Sequence, residues 1–132
     1  ILDSEGKAVN KSVLSGKLIG LYFSASWCPP CKTFSPLLKK FHDKNKRNFE
    51  IIFVSSDRSS TEQFQYMKEF GSGWLTMPHR STGANNLSKK FGIRGIPALV
   101  ILSDDGEMIT KNGRGDVSGN PTGAFEQWSK RL

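Results

Sequence analysis

Two cysteines separated by two prolines, in the run Tyr22-Phe23-Ser24-Ala25-Ser26-Trp27-Cys28-Pro29-Pro30-Cys31, are the only cysteines in this chain of 132 residues. The run lies where an apolar, strand-like stretch passes into a segment of helical spacing. Whatever fold forms must therefore bring a strand end and a helix start together at Cys28. With Cys28 at the helix start and Cys31 one turn in, the two α-carbons fall roughly 5 Å apart, within disulfide reach. Closing and opening that bridge needs little backbone motion. A helix start also surrounds Cys28 with unpaired N–H groups and a positive dipole end. An effect of up to about 2 kcal/mol moves a thiol from about 8.5 to near 7, which leaves a usable fraction of nucleophile.

The prolines shape that turn. Pro29 costs nothing at the first helical position, and its fixed φ favours helix. Pro30 removes a second donor, so the turn is stiff and offers Cys28 fewer N–H groups than a glycine-bearing turn would. Pro36 deprives the Lys32 carbonyl of its donor and predicts a kink in the helix that follows.

Other uses of the pair are weaker. Zinc needs two more ligands, and only His42 and His79 are on hand, neither at finger or ribbon spacing, so no metal site is expected. A structural disulfide across two residues closes too small a loop to stabilise much. His42 reads as a surface residue of the helix after the motif, and His79 as a loop residue beside Pro78.

Periodicity supplies the rest of the organisation. Residues 18 to 25 read as a buried strand, and a helix from about 29 to 46 places Phe34, Leu37, Leu38 and Phe41 inward. Phe49 to Val54 is a second buried strand. Thr61 to Phe70 is helical, with Phe64, Met67 and Phe70 inward and Ser60 as its cap. After a loop carrying Trp74 and Pro78, Asn85 to Phe91 forms a short helix ending at Gly92. Strands at 98 to 103 and 107 to 112 flank the turn Asp104-Asp105-Gly106. Pro121 to Lys130 closes the chain as a helix that packs Phe125 and Trp128 on the sheet. This order implies an α/β fold: a parallel pair joined by a right-handed crossover, with an antiparallel edge and the Cys28 turn at the carboxyl end of a central strand.

The length and a hydrophobic content of 36% suit a single domain, residues 1–132, with its own core. With no initiator methionine, it reads as a domain of a longer protein. No apolar run reaches membrane-spanning length and no secretory signal is visible, so no membrane partner is expected. The net charge of +7 is dispersed: Lys39, Lys40, Lys44, Lys46 and Arg47 decorate one helix end, where cations suit the dipole, and no nucleic-acid partner is expected. Asn10-Lys11-Ser12 and Asn86-Leu87-Ser88 match the glycosylation acceptor by chance, and a turn accounts for the glycine of Arg114-Gly115-Asp116.

The segment Gly92-Ile93-Arg94-Gly95-Ile96-Pro97, together with the cysteine motif, resembles the thioredoxin superfamily. Tyr22 to Cys31, a Phe-rich second strand ending near Asp57, and Gly73-Trp74-Leu75-Thr76-Met77-Pro78 are similar to its tryparedoxin and nucleoredoxin branch. The resemblance implies a thioredoxin-like fold, a central mixed sheet flanked by helices on both faces. It implies that Cys28 attacks a substrate disulfide and that Cys31 resolves the mixed disulfide. Trp27 would cover the sulfurs, and a cis Pro97 would face them, leaving the Ile96 backbone open to an extended substrate. Pro29, Pro30, Tyr22 and Asp57 would support the site.

No bound cofactor is implied. The redox-active disulfide would take its electrons from a low-molecular thiol or an upstream reductase and pass them to disulfide-containing proteins, in a monomer of the cytoplasm or nucleus. A redox-sensing module that binds signalling partners is the alternative. Two departures qualify the match. Tyr22 replaces the buried aspartate of thioredoxins, which leaves water or a carboxylate such as Asp57 as base for Cys31. Ser56 replaces the tryptophan of tryparedoxins, which favours a nucleoredoxin-like assignment.

Overall fold

A computed structural model describes residues 1–131 of the chain. Its organising element is β1 (Leu18–Ser24), all seven residues of which are buried. β1 pairs in parallel with β2 (Phe49–Ser55), from Leu18 opposite Phe49 to Ser24 opposite Ser55. On its other edge it pairs antiparallel with β4 (Ala98–Leu102), Phe23 facing Ala98. The two-residue β3 (Leu75–Thr76) extends the sheet beyond β2, and β5 (Met108–Thr110) extends it beyond β4, in the order β3-β2-β1-β4-β5. The tight return between β4 and β5 uses Gly106 at φ 91°, a conformation that glycine adopts without strain.

Alternation along β1 divides the core. Leu18 and Tyr22 point to one face, into a cluster with Phe49, Phe53, Leu99 and Ile101. Helices α1 (Pro29–Asn45), α2 (Ser60–Phe70), α4 (Gly113–Gly119) and α5 (Ala124–Ser129) cover that face through Phe34, Leu38, Met67, Val117 and Trp128. Ile19, Leu21 and Phe23 point to the other face, where α3 (Thr82–Lys90) and the N-terminal segment lie over them through Ala84, Leu87, Ile1 and Leu14. The expected mixed sheet with helices on both faces is what forms.

Several expectations change at the level of single elements. α1 stays helical through Pro36 from Pro29 to Asn45. Leu37, expected inward, is exposed, whereas His42, expected at the surface, is only 4% exposed and packs edge-on against Phe49. Phe64 and Phe70 are only partly buried against the core. Ser59, not Ser60, caps α2, accepting the Glu62 N–H. α3 starts three residues early, capped by Ser81, and α5 begins at Ala124 because Gly123 and the residues before it form a turn. Arg114-Gly115-Asp116 lies inside α4, which propensity argues against: three of its seven residues are glycine. Packing decides instead, since a Cβ on Gly113 would stand 2.8 Å from the Leu99 carbonyl oxygen.

Burial holds the His42 ring below its ordinary value of 6.5, and its Nε2 has no hydrogen-bond partner among the described residues. As pH falls through about 6.5, the unfolded chain takes up a proton that the folded chain resists. Stability is therefore full above that value and declines below it. We expect His42→Leu to flatten this decline, measured as the loss of Tm between pH 7.5 and 5.5. Equal losses in the two proteins would contradict it.

Candidate redox site

The end of β1 delivers Cys28 to the N-cap of α1, with extended φ and ψ of −98° and 110°. Pro29 and Pro30 occupy the first two helical positions and carry no N–H. The first available donor is the Cys31 N–H, which points at Cys28 Sγ with N···S 3.3 Å. The Lys32 N–H goes to the Cys28 carbonyl. Cys28 and Cys31 are both buried and joined as a disulfide, with α-carbons 5.2 Å apart. Ala25 and Ile96 pack on the pair.

The antiparallel register brings the second half of the site. Because Ala98 faces Phe23, the residues before β4 arrive beside those that follow β1. The Ile96–Pro97 bond is cis, Pro97 is buried, and the Ile96 carbonyl oxygen lies 3.8 Å from Cys28 Sγ. Trp27 is 53% exposed at the mouth of the site, and its indole N–H donates to the Ser56 carbonyl at 3.0 Å.

Asp57 is fully buried, and its carboxylate binds the loop rather than the sulfurs. Oδ1 accepts from the backbone N–H and the hydroxyl of Ser26, both at 2.6 Å, and Oδ2 accepts from the Ser55 hydroxyl at 2.6 Å. His79 Nε2 lies 2.6 Å from the Asp57 carbonyl oxygen. This residue, read from the sequence only as part of a loop, thus braces the end of β2. The Ser26 and Ser55 donors replace the water that the Asp57 carboxylate loses on burial.

Tyr22 lies beneath α1. Its hydroxyl is 2.8 Å from Ser35 Oγ and 3.5 Å from the Cys31 carbonyl oxygen. Ser35 Oγ in turn lies 2.6 Å from the Tyr66 hydroxyl. If each O–H donates toward the cysteine, the order Tyr66, Ser35, Tyr22, Cys31 carbonyl uses three donors in three bonds. Burial pushes the Tyr22 phenol up to about 12, so it stays protonated through the neutral range. Ser26, Ser35, Tyr66 and His79 were not singled out as site residues from the sequence. For Ser35 a signal existed: it follows Cys31 by four residues and shares its helix face. Among the described residues, no group of three or more His, Cys, Asp or Glu is placed to hold a metal ion.

This arrangement of fold and dithiol defines a class, and comparison with known proteins identifies it. The thioredoxin-like family model matches residues 16–108, and the chain belongs to that family of oxidoreductases. Within it, the chain is 41% identical to human nucleoredoxin over 121 residues, 89% of this chain but 27% of that protein's length. It is 38% identical to the tryparedoxin of Trypanosoma brucei brucei, over 95% of this chain and 88% of that one. The crystal structure of a thioredoxin from Wuchereria bancrofti superposes with a TM-score of 0.84 at 39% identity, covering 99% of this chain and 94% of the other. The resemblance to the tryparedoxin and nucleoredoxin branch therefore holds.

Ser35→Ala removes the hydroxyl between two buried phenols and leaves that of Tyr66 without its partner. We expect a loss of about 2 kcal/mol, read as a lower urea midpoint at unchanged slope. Ser35→Thr, which keeps the hydroxyl, should lose less. An alanine variant as stable as the parent would show that these bonds contribute nothing.

Proposed function

We propose that this chain is a protein-disulfide reductase domain in which Cys28 is the nucleophile and Cys31 the resolving thiol. The observation that carries this reading is the placement of Cys28 Sγ: at a helix cap, receiving the Cys31 N–H, and across from the Ile96 carbonyl. In the reduced protein the Cys28 thiolate attacks one sulfur of a substrate disulfide. That S–S bond breaks, the departing thiolate takes a proton from solvent, and a Cys28–substrate disulfide forms. Cys31, losing its proton, then attacks Cys28 Sγ and expels the second substrate thiol. Two electrons have passed to the substrate, and the chain is left with the Cys28–Cys31 disulfide. A low-molecular thiol or a reductase returns them and is itself oxidised.

The geometry supports this reading of the remaining residues. Trp27 and the Ile96–Pro97 segment flank the sulfur and would contact an extended substrate segment, the backbone of Ile96 pairing with it. Tyr22, protonated, would hold the Cys31 turn rather than take its proton. Asp57 is committed to Ser26 and Ser55, which leaves solvent as the acceptor of the Cys31 proton. No helix among the described residues is long and apolar enough to cross a membrane, and we assign the domain to the cytoplasm or nucleus, acting as a monomer.

Cys31→Ser should accumulate mixed disulfides with protein substrates on non-reducing gels, while Cys28→Ser should not. The reverse pattern would sink the assignment of roles. The parent chain should also reduce insulin disulfides with dithiothreitol as electron source, and a negligible rate would favour a binding module over a reductase.

A further inference from the structure

Helix α1 presents one large apolar side chain to solvent: Leu37 is 45% exposed beside the buried Phe34, Leu38 and Phe41. It stands between two adjoining hollows along the seam of α1 with α4. The first, of about 290 Å³, begins at Pro30 in the cysteine motif and reaches Leu37 and Arg114. The second, of about 180 Å³, continues from Leu37 past Val117 to Lys40 and Lys44. From Pro30 to Lys44 the helix advances about 20 Å, the span of about six residues of extended chain.

The rim of this groove is cationic. Arg114, Lys40 and Lys44 are exposed, and none of them forms an ion pair among the described residues. Lys39, their neighbour, is engaged by Asp43. Among the described residues, no Asp or Glu lines either hollow. At its head, Arg114 Nη1 lies 3.5 Å from the Pro97 carbonyl oxygen, so the groove opens beside the loop that faces Cys28. A chain held at the sulfur has a path along α1. A second copy of this +7 chain would bring cation against cation here, whereas an acidic segment would find complementary charge.

We propose, resting on the reductase reading, that this groove docks an acidic segment flanking the reactive cysteine of the protein substrate, with one apolar side chain of that segment packed on Leu37. The groove selects substrates by the sequence beside their disulfide and leaves the exchange chemistry unchanged.

The test separates docking from chemistry. Fluorescein-labelled peptides carry six Glu and Leu residues on either side of a serine that replaces the reactive cysteine, and matched peptides carry Lys in place of Glu. Their binding to the full chain is followed by anisotropy. In the better placement, the Glu-Leu peptide should bind about tenfold more tightly than its Lys-Leu counterpart at low salt, the preference shrinking as salt is raised. Lys40→Glu with Lys44→Glu should invert the preference. Leu37→Ser should weaken the Glu-Leu peptide about fivefold. Lys7→Glu with Lys68→Glu makes the same change of net charge elsewhere and should preserve the preference.

Reduction of the small, neutral hydroxyethyl disulfide should proceed at the parental rate in all these variants. Equal binding of the two peptides, or a remote variant as disruptive as the groove variant, would overturn the proposal. So would sedimentation showing a dimer that Leu37→Ser dissociates. Failure of the parent chain to reduce hydroxyethyl disulfide would count against the reductase reading instead, while the cysteine-free peptides still decide the groove.

Discussion

The site exists where it does because β1 is enclosed on every side. Strands flank both of its edges, helices lie over both of its faces, and all seven of its residues are buried. The chain reaches the surface from such a strand only at its ends. Its carboxyl end is where the polypeptide must turn, and the turn made there is the cysteine motif. The antiparallel partner adds a second constraint: β4 starts opposite the end of β1, so Ile96 and Pro97 enter the sheet where Cys28 leaves it. Two segments sixty-eight positions apart meet through strand register, and no long-range contact of their own is needed to bring them together.

Strong periodicity and punctuation made most of this legible. The strands read at 18 to 25 and 49 to 54, which form as Leu18–Ser24 and Phe49–Ser55, the helix from Pro29, and the glycine turn before β5 were all readable. The errors on α1 have one origin. A helix advances about 100° per residue, so Phe34, Cys31, Ser35, Phe41 and His42 all lie within about 60° of Leu38, while Leu37 lies about 100° away. Hydropathy alone adds Leu37 to the buried face and removes His42 and Ser35. The buried face is set by angle, and it admits polar side chains where they find partners or remain neutral. α4 was missed for the opposite reason. Its glycines argue against helix locally, yet the first of them, Gly113, is what lets it approach Leu99.

The polar groups under the site divide the labour in a way that sequence position obscured. Tyr22 stands where thioredoxins place a carboxylate, but its phenol, pushed up to about 12, is a fixed hydrogen-bonding group through the neutral range. With Ser35 and Tyr66 it ties β1, α1 and α2 together beneath Cys31. The buried carboxylate is instead Asp57, on the other side of the motif, where it fastens Ser26 to Ser55. One network thus anchors the helix that carries Cys31, and the other anchors the loop that leads into Cys28. Asp57 also connects, through Ser56, to the ring of Trp27, so the exposed indole is fixed by the same strand end.

Between those two anchors, the prolines decide how much the helix can offer the first sulfur. The first turn of a helix normally presents several unpaired N–H groups at its cap, but Pro29 and Pro30 have none. Cys28 Sγ receives one, from Cys31, and the next, from Lys32, is taken by the Cys28 carbonyl. The helix dipole still favours a thiolate at this position, but direct hydrogen bonding to Cys28 Sγ from the start of α1 is confined to a single donor, the N–H of Cys31, its disulfide partner. That donor and the sulfur bonded to Cys28 Sγ belong to one residue, Cys31. The two rings therefore limit the hydrogen bonding that α1 can offer a thiolate at Cys28, an effect that follows from the loss of two N–H groups at the start of one helix.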